Sequence, residues 1–243
     1  MHFLANLSLF LITIIGGSLP LWVKGLTDRR LQLLLAFSGS FLLSITFLHL
    51  LPETFQETAN VTRTGFYILT GFFLQLFIQR ITHGVEHGHV HIHPQEQHIP
   101  IWSIIIGLSV HAFMEGLPLG FHYRNSATEP SLYLAVAAHK LPEAMLLTML
   151  VLNAKGRSAA LTTLFVFSLL TPLAGTLATF LGTNYSFMAR TVSALIPIVA
   201  GAFIHIATTI FFESGTKQHM LTWQKIIAMI LGVTIALTTL LFE

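Results

Sequence analysis

Two glutamates lie inside long apolar stretches, and each follows a histidine by four residues. The segments are His111-Ala-Phe-Met-Glu115-Gly-Leu-Pro118 and His139-Lys140-Leu-Pro142-Glu143. Spacing of four puts both side chains of a pair on one helix face. Two such helices facing each other offer two imidazoles and two carboxylates to one point, a first shell suited to a divalent transition metal such as zinc. The plainer reading is that His and Glu hydrogen-bond the helices together. Two matched pairs, each with a nearby proline, favour the metal, because ionisable groups at membrane depth are costly and mark a functional site by default.

The prolines matter because each removes an N–H and leaves the carbonyl four residues earlier without its helical partner. Pro118 would free the Met114 carbonyl and Pro142 that of Ala138. In hydrocarbon such groups must be satisfied by protein, water or an ion, and broken helices beside acidic side chains are typical of transporter midplane sites. Lys140 points about 100° around the helix from His139 and precedes Glu143 by three residues, so the two can pair. A buried ammonium needs such a partner, and the mid-helix position argues against snorkelling to an interface.

The elements that must position these residues are apolar helices. The chain has 243 residues, 53% hydrophobic and only 9% charged, against roughly 25% charged in a soluble domain. That composition predicts an all-α integral membrane protein in contact with the lipid bilayer. A spanning helix needs about 20 mostly apolar residues, and eight transmembrane helices are expected, near 3–23, 31–52, 64–82, 100–122, 131–152, 158–182, 191–213 and 220–242. No Lys or Arg precedes Lys24, so the first is read as a retained span and not a cleaved leader. The whole of 1–243 reads as a single transmembrane domain. The formal net charge of +2 gives no reason to expect nucleic acid. With no cysteine, disulfides and thiolate ligands are excluded.

Placing the N-terminus outside assigns Lys24, Arg29, Arg30, Arg80, Lys155, Arg157, Lys217 and Lys225 to inside loops, and only Arg63, Arg124 and Arg190 to outside ones. The positive-inside rule therefore puts both termini outside. One inside loop, residues 80–99 between the third and fourth spans, carries His83, His87, His89, His91, His93 and His98. Clustered imidazoles bind transition metals weakly and reversibly, so capture or sensing of metal is expected there, over an uncommitted polar loop. Its loss should alter regulation or exit kinetics without abolishing transport.

Other polar residues are less committed. His49 and Glu53 repeat the four-residue spacing at the outer end of the second span, as an interfacial polar end or an entrance site for a cation. Thr171-Pro172-Leu-Ala-Gly175 with Ala178 and Gly182 suggests a close helix contact in the sixth span. His205, in the seventh span before Glu213, reads equally as a packed core histidine or a ligand. Met114 and Met145 read as packing residues.

Together these features resemble the ZIP (ZRT/IRT-like) divalent metal transporters. The resemblance rests on Ser40-Phe-Leu-Leu-Ser-Ile-Thr-Phe-Leu-His49-Leu-Leu-Pro52-Glu53, His111-Ala-Phe-Met-Glu115-Gly116, His139-Lys-Leu-Pro142-Glu143, Pro172-Leu-Ala-Gly175 and Gly201-Ala-Phe-Ile-His-Ile-Ala. Their order and spacing span the chain. The resemblance implies uptake of zinc or a similar divalent metal (Fe2+, Mn2+, Co2+ or Cd2+) into the cytoplasm, across a cell (inner) membrane. It implies alternating access with spans one, four, five and six moving, a ZIP-like bundle with its metal site between spans four and five, and a homodimer. The residues matching the family's first metal position are His111, Glu115, His139 and Glu143.

At the second metal position the chain departs from the family. Ala112 stands where two-metal members usually have Asn, Lys140 where they have an acidic residue, and Thr171 where a glutamate precedes the proline. The expectation is a single-metal transporter, with the Lys140 ammonium where a second cation would sit and repelling it. An intramembrane zinc-dependent hydrolase, or a metal sensor without flux, are the competing readings. Against the hydrolase, four ligands leave no open position for water and no HExxH segment occurs.

Overall fold

The computed structural model describes residues 2–23, 28–56, 60–82, 101–121, 123, 127–184, 186–213 and 222–242. The loop histidines His83, His87, His89, His91, His93 and His98 lie outside the described residues, as do Lys24, Arg124 and Lys217.

All regular structure among the described residues is helical, as expected where every backbone group must find its partner within its own segment. Helix α1 is His2–Trp22. Helix α2, Asp28–Ile45, runs through a π-helical turn, Thr46–Leu50, into the short α3, Leu51–Gln56. Helix α4 is Val61–Thr82. Helix α5, Ile101–Gly116, tightens at Pro118 into a 3-10 turn, Leu117–Gly120. The α-helix therefore ends where the proline was expected to interrupt it. Helix α6 is Thr128–Asn184, α7 is Ser186–Glu213 and α8 is Trp223–Thr239.

Six of these helical stretches are long and apolar enough to cross a membrane, and α8 is a shorter apolar helix of under 18 residues. The 57-residue α6 is two helices in one. Gly156 has φ 81° and ψ 179°, a conformation that L side chains rarely adopt. A Cβ there would meet nothing within 4 Å, so backbone conformation and not crowding sets Gly156 apart. It divides α6 into 128–155 and 157–184, close to the boundary between the fifth and sixth expected spans.

Most close approaches at glycines fall within two groups of helices, and one, Gly107 of α5 against Thr82 of α4, joins them. Helix α1 lies in the groove between the halves of α6: a Cβ on Gly16 would press on Leu141, and one on Gly17 on both Ala144 and Leu164. Helix α5 meets the second half of α6, where Cβ atoms on Gly116 and Gly120 would run into the Thr171 and Gly175 carbonyls. This is the small-residue contact expected around Pro172, with Gly175 and Ala178 in it and Gly182 outside it. In the second group, Gly71 of α4 abuts Ile198 of α7 and Gly201 of α7 abuts Ile68 of α4. Gly39 of α2 faces Ile210 of α7, and Gly232 of α8 fits against Phe37 and Ser40 of α2.

One apolar cluster, including Leu42, Leu50, Leu132, Val136 and Phe203, joins the two groups. Another, including Ile104, Leu108, Leu147, Leu164 and Phe167, is built from α5 and α6. The outward faces are also apolar: Phe66, Phe73 and Phe77 of α4 and Ile227, Ile230 and Leu237 of α8 are exposed. Apolar surface all round a helix suits hydrocarbon as its solvent.

Candidate metal centre

Helix α5 and the first half of α6 bring the two His/Glu pairs face to face. One ligand atom from each of His111, Glu115, His139 and Glu143 lies within 4.8 Å of the others. All four residues are at most 1% exposed. His111 Nε2 is 3.2 Å from Glu115 Oε1 and 3.6 Å from Glu143 Oε1, and His139 Nε2 is 3.7 Å from Glu115 Oε1. The two rings stand edge to face, 6.0 Å between centroids. None of these four atoms makes a hydrogen bond of good geometry, although buried polar atoms normally do. Two imidazole nitrogens and two carboxylate oxygens converging in this way can hold a divalent metal ion.

The other oxygen of each glutamate faces away from that point. Lys140 Nζ is 2.5 Å from Glu143 Oε2, a hydrogen bond, and 2.5 Å from Glu115 Oε2, an ion pair. The sequence predicted the first partner; the second is contributed by the facing helix. Phe167, from the second half of α6, presents its ring to the same ammonium at 4.9 Å from the centroid. Such contacts contribute about 0.5–2 kcal/mol. Two glutamates and one lysine sum to a formal charge of one negative unit at the centre.

Ala112 and Thr171, expected to stand in place of second-metal ligands, lie in the α5–α6 contact. Thr171 Oγ1 donates to the Ala112 carbonyl at 2.8 Å. Ala112 itself is fully buried. Across the group boundary, Ser38 Oγ of α2 lies 3.4 Å from His139 Nδ1 and 3.3 Å from the Leu35 carbonyl. A hydroxyl that donates to Leu35 can accept from an Nδ1–H, which leaves Nε2 with its lone pair toward the centre.

The less committed residues lie elsewhere. His49 sits in the π-helical turn, its Nε2 2.7 Å from Thr239 Oγ1 of α8, and both it and Glu53 are buried. His205 Nε2 is 2.6 Å from Gln79 Oε1, and the Phe72 ring meets its imidazole edge to face at 4.8 Å. His205 thus joins α7 to α4, and neither it nor the His49–Glu53 pair belongs to the four-residue group.

Ser38 and Phe167 were not legible as site residues. Ser38 resembles Ser40 and Ser44 in the same helix, and Phe167 is one of 20 phenylalanines. Only the folded chain separates them from the rest.

No curated protein matched the chain. The family model described as ZIP Zinc transporter matches residues 1–101 and 85–239. With that match running nearly end to end, and with a buried His/Glu group fit to hold a metal between apolar helices, this chain belongs to the ZIP zinc transporter family.

Proposed function

We propose that this chain carries zinc or a similar divalent transition metal across the membrane into the cytoplasm, through a single metal position formed by His111, Glu115, His139 and Glu143. The observation that carries the reading is the convergence of their four ligand atoms within 4.8 Å in a fully buried setting. Lys140 stands in place of a second metal. One unit of negative charge attracts one divalent ion; once that ion is bound, the centre is net positive and opposes another. Zinc is the favoured substrate, with Fe2+, Mn2+, Co2+ and Cd2+ as related ones. The chain acts as a carrier, not an enzyme.

Eight crossings follow if α6 is counted as two spans about Gly156 and α8 as the last. Two contacts support the assignment of the inner end. Arg157, just after that break, stacks on Trp22 at the end of α1 at 4.4 Å. Arg29 at the start of α2 bonds through Nε to Gln224 Oε1 at the start of α8 at 3.0 Å. These contacts gather residues expected on the cytoplasmic side, with both termini on the outer face of a cell (inner) membrane. His49 and Glu53 serve as an entrance, the His83–His98 histidines receive or sense metal inside, and the carrier is a homodimer.

Transport needs no covalent step. The ion exchanges part of its water shell for imidazole and carboxylate, and its charge offsets the cost of burying the glutamates. The loaded centre then meets the opposite side as α1, α5 and α6 move against α2, α4, α7 and α8. Most of the glycine packing lies on one side or the other of that division, with Gly107 of α5 against Thr82 of α4 crossing it, and the burial of the centre requires some such motion for entry and exit.

The test is zinc flux into proteoliposomes holding a fluorescent chelator, wild type beside Glu143→Ala. Zinc entry that disappears in the variant is expected, and His139→Ala should behave alike while still reaching the membrane. Stoichiometric zinc binding without flux in the wild type would replace transport by a sensor or a hydrolase. Two metals bound at saturation would remove the single-metal assignment.

A further inference from the structure

We infer that Lys140 is a positioning residue that forces each glutamate to bind through one oxygen, and thereby selects metals that accept four-coordinate N2O2 geometry. This inference deepens the transport reading above and rests on it. Glu115 and Glu143 are divided in the same way. Oε1 of each lies on the histidine side, 3.2 and 3.6 Å from His111 Nε2. Oε2 of each lies 2.5 Å from Lys140 Nζ. A carboxylate with one oxygen against an ammonium at that distance disfavours chelation through both oxygens, because the ammonium's charge and bulk stand where the metal would have to approach the second one.

The lysine is itself held. Its ammonium donates a hydrogen bond to Glu143 Oε2 and pairs with Glu115 Oε2, and the Phe167 ring stands beside it. Phe167 and Lys140 are both at most 2% exposed. The metal position is therefore limited to two imidazole nitrogens and two carboxylate oxygens. Zinc and cobalt(II) accept four donors at tetrahedral angles. Calcium needs six to eight oxygens, magnesium demands an octahedron, and manganese favours oxygen-rich six-coordination. Orienting contacts behind metal ligands are worth about 10–100-fold in affinity.

Charge and geometry separate cleanly in the test. Removing the lysine charge strengthens attraction for Zn2+ and Mn2+ alike, because both carry the same charge. The ratio of their affinities therefore reports coordination geometry. The full chain in lipid nanodiscs is titrated with Zn2+ and Mn2+ against a competing chelator, as wild type, Lys140→Met and Phe167→Leu. The visible spectrum of the Co2+-loaded wild type is recorded alongside. Strong tetrahedral cobalt bands are expected in the wild type. The zinc-over-manganese ratio should fall by at least about tenfold in Lys140→Met and by less in Phe167→Leu. A weak six-coordinate cobalt spectrum, or an unchanged ratio in both variants, overturns the role of Lys140. Should Lys140→Met not fold, the cobalt spectrum and Phe167→Leu still decide. A wild type that binds none of these metals overturns the transport reading as well; bound metal with an unchanged ratio leaves that reading standing.

Discussion

Thr171 Oγ1 hydrogen-bonds the backbone carbonyl of Ala112 across the α5–α6 contact, at 2.8 Å. In the single-metal reading proposed above, both residues and Lys140 stand where a second metal would find its ligands; here Thr171 bonds the Ala112 backbone and the Lys140 ammonium reaches both glutamates. Thr171→Val keeps the volume and removes the bond. It should lower stability by about 1 kcal/mol, read as the midpoint of thermal unfolding in detergent. A Lys140→Asp change should recover a second metal only when Ala112 and Thr171 are changed with it, as counted by metal stoichiometry at saturation.

Gly116 lies one residue beyond Glu115, where a Cβ would strike the Thr171 carbonyl and the Ala174 methyl. Gly116→Ala should cost about 1–3 kcal/mol by overpacking. It should also weaken zinc binding, because pushing α5 away carries His111 and Glu115 with it. Gly182→Ala, where a Cβ would meet nothing within 4 Å, should leave both properties within about 0.5 kcal/mol. Equal behaviour of the two variants in melting and zinc titration would contradict the packing argument.

Ser38 of α2 is the polar contact to His139 from the other helix group. Ser38→Ala should reduce zinc affinity by about tenfold, the lower end for an orienting contact, since 3.4 Å is a long bond. Stability should change little, because the two bonds that Ser38 gives up, at 3.3 and 3.4 Å, are both long. Isothermal titration with zinc, beside a melt of the same sample, distinguishes loss of orientation from loss of fold.

His205 should behave in the opposite way. Its bond to Gln79 and its contact with Phe72 join α4 and α7, and such interhelical bonds average about 0.6 kcal/mol and reach about 1.7. His205→Ala should lower the melting point and leave zinc affinity at the centre unchanged. A zinc-binding defect in a normally stable variant would return His205 to the list of candidate ligands.

Acid should unload the centre. Imidazole and carboxylate bind metal only without their protons, so metal binding releases protons and falling pH favours the free site. Zinc affinity should therefore drop as pH falls from about 7 to about 5, the range in which imidazoles ordinarily gain charge, and recover on return. Affinity that stays flat from about pH 7 down through the ordinary carboxylate range would contradict a shell of imidazoles and carboxylates.

The sequence determined what the chain is made of and what solvent it folds in. Low charge and long apolar runs require helices, because hydrocarbon leaves the backbone no other partner. Spacing of four places His111 with Glu115 and His139 with Glu143 on their helix faces; Pro118 falls where α5 gives way to a 3-10 turn, whereas α6 continues through Pro142. These are consequences of interactions within one turn. Tertiary structure decided what meets across turns. It set the pairing of Lys140 with Glu115 as well as Glu143, and the split of each carboxylate between lysine and histidines. It also seated Phe167 beside the ammonium and sent His205 to Gln79, away from the centre. Each depends on how two helices are rotated and how closely they approach, which glycine contacts such as Gly116 against Thr171 set. Side chains separated by tens of residues carry no mark of that rotation in their own sequence.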